Sequence, residues 1–239
     1  MEIDLLLTIV VVSMIQSLFG VGVLLFGTPL LLLLEYSFFE SLLILLPISA
    51  SINLLQVVRD YKAIEFNIYK NILIFTVPCI IVFLILVSKS NINMNLFIGF
   101  LIVFVALKER ISLMQIWLNK LLKYPKMFYA SMGIVHGMTN LGGVLLAAKI
   151  FHTDLNKHQK RVTIAISYMT FAVFQIMTIL ALDMSYEHKN LLYVGVGLVI
   201  YVCVNHFLFH KISEGKYNLL LSFFLIMTGL LLIAKEFLW

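Results

Sequence analysis

Residues 128–151 are apolar enough to lie in a bilayer, yet their centre reads His136-Gly137-Met138-Thr139-Asn140-Leu141-Gly142-Gly143, with Lys149 close behind. A helix needs about 20 apolar residues to cross the hydrocarbon. The glycines cut this run into pieces of about 10–15 residues, too short to span singly. Irregular backbone at membrane depth is tolerated only where it is buried in protein or lines a cavity. A second interrupted run, residues 5–34, carries Gln16-Ser17-Leu18-Phe19-Gly20-Val21-Gly22 and then Gly27-Thr28-Pro29. Gly22 and Gly142 stand 120 residues apart, half of a 239-residue chain. Interrupted segments at corresponding places in two halves are a sequence pointer to a transporter's binding site.

Composition sets the medium. Hydrophobic residues make up 62% of the chain and charged ones 12%, with a mean hydropathy of +1.05. Soluble domains are roughly 45–50% apolar and about 25% charged, so the expected fold is an all-α polytopic membrane bundle. Continuous crossings are expected near 41–58, 71–88, 94–107, 162–182, 190–209 and 217–235. Glu2 and Asp4 replace the basic start of a secretory signal, so the first segment is expected to be retained. Cys79 and Cys203 lie in apolar runs without metal or disulfide spacing. The net charge of +5 comes from scattered basic residues with no aromatic-interleaved patch, which argues against nucleic acid as a partner.

The placement of lysine and arginine separates two topologies. If both interrupted segments re-enter and return, thirteen basic residues collect on one side: Arg59, Lys62, Lys70, Lys108, Arg110, Lys120, Lys123, Lys126, Lys157, Lys160, Arg161, Lys211 and Lys216. Only Lys89, Lys189 and Lys235 fall on the other. If both segments cross, the partition is ten against six. The re-entrant arrangement therefore fits the positive-inside rule better. Each half then has one hairpin and three crossings, an odd number, so the halves are inverted repeats with both termini outside. The expected units are residues 1–107, a cytoplasmic amphipathic linker over 108–127, and residues 128–239.

The chemistry concentrates at the breaks. A helix resuming after Asn140 would present unpaired N–H groups and the positive end of its dipole, an anion-binding arrangement. Asparagine is a good N-cap, and glycine lets backbone approach a ligand. Thr139, Gly142 and Gly143 belong to this set, with Gly20, Gly22 and Thr28 as the first-half counterpart. His136 aligns with Gln16 and can donate to an anion or carry a proton; it can equally be a neutral packing residue. Lys149 is the one cation inside these segments, a counter-charge or a snorkelling side chain. Ser49, Ser51, Asn53 and Gln56 on one crossing, and Thr163, Ser167, Tyr168, Thr170 and Gln175 on its counterpart, put several polar groups on one helix face. Of these, Ser51, Asn53, Gln56, Thr170 and Gln175 complete the candidate substrate site.

Enzyme readings find little support. His152 and His158 lack the metalloprotease pattern, and there is no Gly-x-Ser-x-Gly elbow or phosphate-binding loop. The twelve acidic residues fall in expected loops or near termini, which disfavours carboxylate metal sites and acidic cation coordination. No cofactor is expected.

Gly20-Val21-Gly22 through Gly27-Thr28-Pro29-Leu30, with His136-Gly137-x-x-Asn140-x-Gly142-Gly143 and Leu155-x-Lys157-x-x-x-Arg161, resembles the sulfite exporter TauE/SafE family. The resemblance extends over nearly the whole chain. It implies a cytoplasmic-membrane exporter of small sulfur-containing anions, such as sulfite or organosulfonates. Two departures, the sparse Gly20-Val21-Gly22 and Val144 after Gly143, leave the substrate open within that class. The expected partners are a small anion and the bilayer, with a homo-oligomer allowed. An anion channel of the same architecture, and a membrane-embedded enzyme or assembly factor using His136 and Lys149, are the alternatives.

Overall fold

The structure is a computed structural model and describes residues 3–19, 22–90, 92–107, 120–151, 153–184 and 189–208, with positions 230 and 234. Among these residues the chain is helical and contains no strand. The order is α1 (Ile3–Phe19), α2 (Val23–Leu33), α3 (Phe38–Asp60), a 3-10 turn (Tyr61–Ala63), α4 (Phe66–Asn71), a π turn (Ile72–Thr76), α5 (Val77–Ser88), α6 (Met94–Leu107), α7 (Pro125–Thr139), α8 (Gly143–Phe151), α9 (Lys157–Ala181) and α10 (Lys189–Leu208).

Three stretches, Phe38–Ala63, Phe66–Ser88 and His158–Ala181, are long and apolar enough to cross a membrane. The expected segments at 94–107 and 190–209 correspond to α6 and α10. The expected crossing at 217–235 lies outside the described residues apart from two positions, and so does most of the 108–127 connection. At the end of that connection Leu121 is buried while Lys120 and Lys123 are exposed. The helix then begins at Pro125, where the fixed φ of proline suits a first turn.

Two long helices form the centre, and both begin with the same local device. Ser37 and Glu40 bond each other's backbone N–H at the start of α3; Asn156 and Gln159 do so at the start of α9. Such reciprocal capping satisfies two orphan donors at a helix start. The helices pack together antiparallel. Asp60 at the end of α3 meets His158 at the start of α9 at 3.2 Å. Just beyond, Glu65 N donates to Thr163 Oγ1 at 2.9 Å, and the Tyr69 and Thr170 hydroxyls lie 3.0 Å apart.

The outer helices pack reciprocally. α1 lies on α10 and α7 lies on α5; α10 also packs on α3, and α5 on α9. At the α7–α5 contact, a Cβ added to Gly137 would come within 2.6 Å of the Ile80 carbonyl oxygen, and one on Gly133 would meet the Thr76 carbonyl. Small residues here allow the backbones their close approach. Thr76, at the end of the π turn, donates its hydroxyl to the Tyr129 carbonyl at 2.9 Å. Polarity is sorted for a bilayer: Ile3, Leu7, Val11 and Met14 are exposed along one stripe of α1, while Ser13, Gln16 and Ser17 are buried.

Candidate functional site

The first break lies between the end of α1 and Val23. Gly22 has extended backbone, φ −179°, and a Cβ there would stand 2.6 Å from the Gln16 nitrogen. The chain has thus turned back onto α1, and α2 packs beside it. Gln16 secures the turn with both ends of its amide. Its Oε1 accepts from Val23 N at 3.1 Å, and its Nε2 donates to Asn53 Oδ1 at 3.1 Å. Asn53 Nδ2 in turn donates to Ser49 Oγ at 3.2 Å. A first-turn N–H of the resumed helix is therefore capped from within the same half.

The second break uses different chemistry. Asn140 is left-handed, φ 64°, and its N–H donates to the His136 carbonyl at 2.8 Å, closing the end of α7. Asparagine tolerates this conformation better than most residues. The expectation that Asn140 would cap the helix after the break is corrected: it terminates the helix before it. Its side-chain Nδ2 reaches into the other half and donates to Thr28 Oγ1 on α2 at 2.9 Å. Thr139 Oγ1 donates to the Val135 carbonyl and accepts from Leu141 N. A Cβ on Gly142 would lie 2.5 Å from His136 Cβ and 2.6 Å from the Met132 carbonyl oxygen. Three residues beyond the helix end, the chain has returned to the level of Met132 and His136. A Cβ on Gly143 would overlap the Tyr168 hydroxyl. Space explains glycine at both positions.

His136 is fully buried below this turn, with Nε2 3.2 Å from Gln175 Oε1 on α9. Its ring centroid lies 4.6 Å from that of Phe171 and 6.3 Å from that of Tyr168. Three buried polar atoms here have no hydrogen-bond partner among the described residues: Asn140 Oδ1, His136 Nδ1 and Gln175 Nε2. An unmade hydrogen bond in a buried place is costly, about 1–3 kcal/mol. Orphaned polar atoms in such a place mark a position where a ligand or water can complete them. The described residues contain no cluster of metal-ligating side chains.

The remaining candidates are distributed. Gly20 lies outside the described residues. Ser51 is half-buried on α3, and Thr170 bonds Tyr69 and its own helix rather than the break. Gln56 is 4% exposed, and neither amide atom has a hydrogen-bond partner among the described residues. Lys149 is partly exposed with Nζ 5.9 Å from the Phe128 ring centroid, so the structure does not bring its ammonium to the break. Sequence reasoning passed over Tyr168 as a site residue, and counted Arg161 as a loop charge. Arg161 lies inside α9 and donates from Nη2 to the Tyr201 hydroxyl at 3.1 Å. The signal was spacing: Arg161, Tyr168 and Gln175 recur every seven residues, two helical turns, and so share one face of α9.

Apolar spans enclosing buried polar groups mark a polytopic membrane protein. The description Sulfite exporter TauE/SafE matches residues 5–232, and the chain belongs to that family of membrane transporters for sulfur anions. No curated protein and no solved structure matches the chain.

Proposed function

We propose that this protein exports small sulfur-containing anions, of the sulfite or organosulfonate type, across the cell membrane by alternating access. The substrate sits beside the second break, where Asn140, His136 and Gln175 present buried polar atoms and Gly142 and Gly143 let the turn pack against His136 and Tyr168. Asn53 and Gln16 hold the first hairpin, and Thr28 joins it to the second. One observation carries this reading: the Asn140–Thr28 hydrogen bond links the two hairpins next to three polar atoms with no partner among the described residues. A ligand competing for the Asn140 amide would loosen one half from the other, which is what alternating access requires.

Two inverted repeats are supported by the reciprocal packing of α1 on α10 and α7 on α5, and by the antiparallel α3 and α9 with matching capping boxes. The loop charges then put both termini outside and the 108–127 connection in the cytoplasm. Each hairpin re-enters, which agrees with Gly22 lying against Gln16 and Gly142 against His136.

The test is sulfite counterflow in liposomes containing the purified protein, comparing parent with Asn140→Ala. A hydrogen bond to a charged group contributes roughly 1.5–3 kcal/mol, so the variant should bind sulfite about ten- to a hundredfold more weakly. A folded Asn140→Ala protein with the parent's affinity and rate would remove the site from this break.

A further inference from the structure

His136 and Gln175 make one hydrogen bond to each other and leave one atom each unmade. His136 Nε2 lies 3.2 Å from Gln175 Oε1, while His136 Nδ1 and Gln175 Nε2 have no partner among the described residues. Both side chains are fully buried. A neutral imidazole has one N–H and one bare nitrogen, and an amide has a donor end and an acceptor end. If the ring donates to the amide oxygen, Nδ1 is left as an acceptor and the amide nitrogen as a donor. If the amide is turned over and donates to the ring, Nδ1–H becomes the donor and the amide oxygen the acceptor. Either way the pair has one donor and one acceptor still to satisfy. α7 packs on α5, the π turn and α8, and the His136 ring meets α9. The titratable groups facing this region among the described residues are Tyr168 against the imidazole, Cys79 beside Gly133, and Lys149 over Phe128. On α7 itself Tyr129 is buried and Lys126 lies near the Phe75 ring. None of these elements contains an aspartate or glutamate, so an imidazolium at His136 would find no counter-ion on them.

We infer that the His136–Gln175 pair selects an anion that carries its own hydrogen-bond donor: hydrogensulfite over the sulfite dianion, and a hydroxyalkanesulfonate over a bare alkanesulfonate. The inference rests on the transport reading above and names the form of substrate that this site takes. A fully ionised oxyanion can only accept. It satisfies the donor of the pair and turns a lone pair toward the acceptor, which stays buried and unmade. An anion with an O–H group meets both. A site built to bond a ligand hydroxyl discriminates strongly against the analogue that lacks it, because its own buried group is then left open. Charge acts in the same direction. The cost of taking an ion out of water grows with the square of its charge, so a dianion costs about four times as much as a monoanion of the same size. The Lys149 ammonium is spent over Phe128 and is not brought to the break to offset that difference. The phenyl ring of Phe171, 4.6 Å from the imidazole, adds an apolar wall instead.

The test is sulfite counterflow by the purified protein in phosphatidylcholine liposomes, with equal pH on both sides, taken through the second ionisation of sulfurous acid near neutral pH. Above that ionisation the KM for total sulfite should rise about tenfold per pH unit, because only the hydrogen-bearing fraction is competent. Hydroxyethanesulfonate and ethanesulfonate are permanent monoanions of similar size. As competitors, the hydroxylated one should bind about tenfold better at every pH. Gln175→Met keeps the side-chain length and removes the amide. The imidazole can then present whichever tautomer the ligand needs, so that preference should shrink to within about twofold. A KM for total sulfite that stays flat across the ionisation, or ethanesulfonate competing as well as its hydroxylated analogue, would mean that water completes the pair. Either result overturns the selection and leaves the transport reading in place. So does a folded Gln175→Met protein that keeps the parent's preference; if that variant does not fold, the two measurements on the parent decide. Competition by hydroxyethanesulfonate that weakens with pH in step with sulfite would assign the titration to His136 and overturn the selection as well. If the parent moves no sulfite, or Asn140→Ala equals the parent, the transport reading itself falls and the selection with it.

Discussion

The two hairpins answer the same steric problem with different chemistry. In each, a glycine three residues past the helix end lies against a residue six positions earlier: Gly22 on Gln16, Gly142 on His136. Gln16 spends both ends of its amide within its own half, capping Val23 and bonding Asn53. The second half closes its helix with a left-handed Asn140, and the side chain that results points across to Thr28. His136 bonds Gln175 through one nitrogen and leaves the other open. Gln16 ties the first break to its own half, whereas at the second Asn140 Oδ1, His136 Nδ1 and Gln175 Nε2 have no partner among the described residues, beside the boundary between halves. A turn that completes its own hydrogen bonds holds a scaffold, whereas one that leaves buried groups open is poised for a ligand.

The largest effect should come from Gly143→Val, which puts a branched side chain where the Tyr168 hydroxyl now stands. We expect little folded protein, measured as monodisperse yield in detergent. Gly143→Ala combined with Tyr168→Leu should recover folding better than Gly143→Ala alone, since the clash is with the hydroxyl and the ring carbon that carries it. Equal yields from the two would mean that the turn is not held by this contact.

Next comes the paired exchange that probes the comparison directly. Gln16→Leu removes a helix cap and a buried amide bond, and each is worth about 1 kcal/mol. It should lower the thermal midpoint by several degrees while leaving sulfite affinity near the parent's. His136→Gln gives the second hairpin the residue of the first, so it should stay folded yet lose affinity about tenfold. Were Gln16→Leu to abolish affinity and His136→Gln to leave it intact, the roles of the two hairpins would be reversed.

Thr28→Val removes the hydroxyl that receives the Asn140 amide, with little change in shape. It should alter the transport rate about threefold to tenfold with a smaller effect on affinity, because it weakens the contact between hairpins. A rate and an affinity both equal to the parent's would show that the contact carries no coupling. Lys149→Gln should have the smallest effect, under about threefold in affinity. Its ammonium lies over Phe128, and a partly exposed cation on so long a stem reaches water whether or not substrate is bound. A loss comparable with that of Asn140→Ala would restore it as a counter-charge.

Hydropathy alone identified an all-helical membrane chain, the two interrupted segments at 5–34 and 128–151, and the long helices now seen as α3 and α9. It could do so because burial in hydrocarbon demands long apolar runs, and a break in one is visible in any register. The glycine and asparagine motifs also located the turns, since few residues fit a left-handed helix end or a backbone pressed against a neighbouring helix. What those residues do could not be read from their order. Asparagine favours both a helix start and a left-handed helix end, and only the path of the chain shows that Asn140 ends α7 and bonds Thr28, 112 residues away. Arg161 looks like a loop charge until the helix is seen to enclose it and Tyr201 to meet it. Local chemistry and hydrophobic period are written along the chain, so the sequence determined the medium, the helices and the turns. Which polar groups complete one another is a matter of distance between segments far apart in the chain, and that was decided by packing alone.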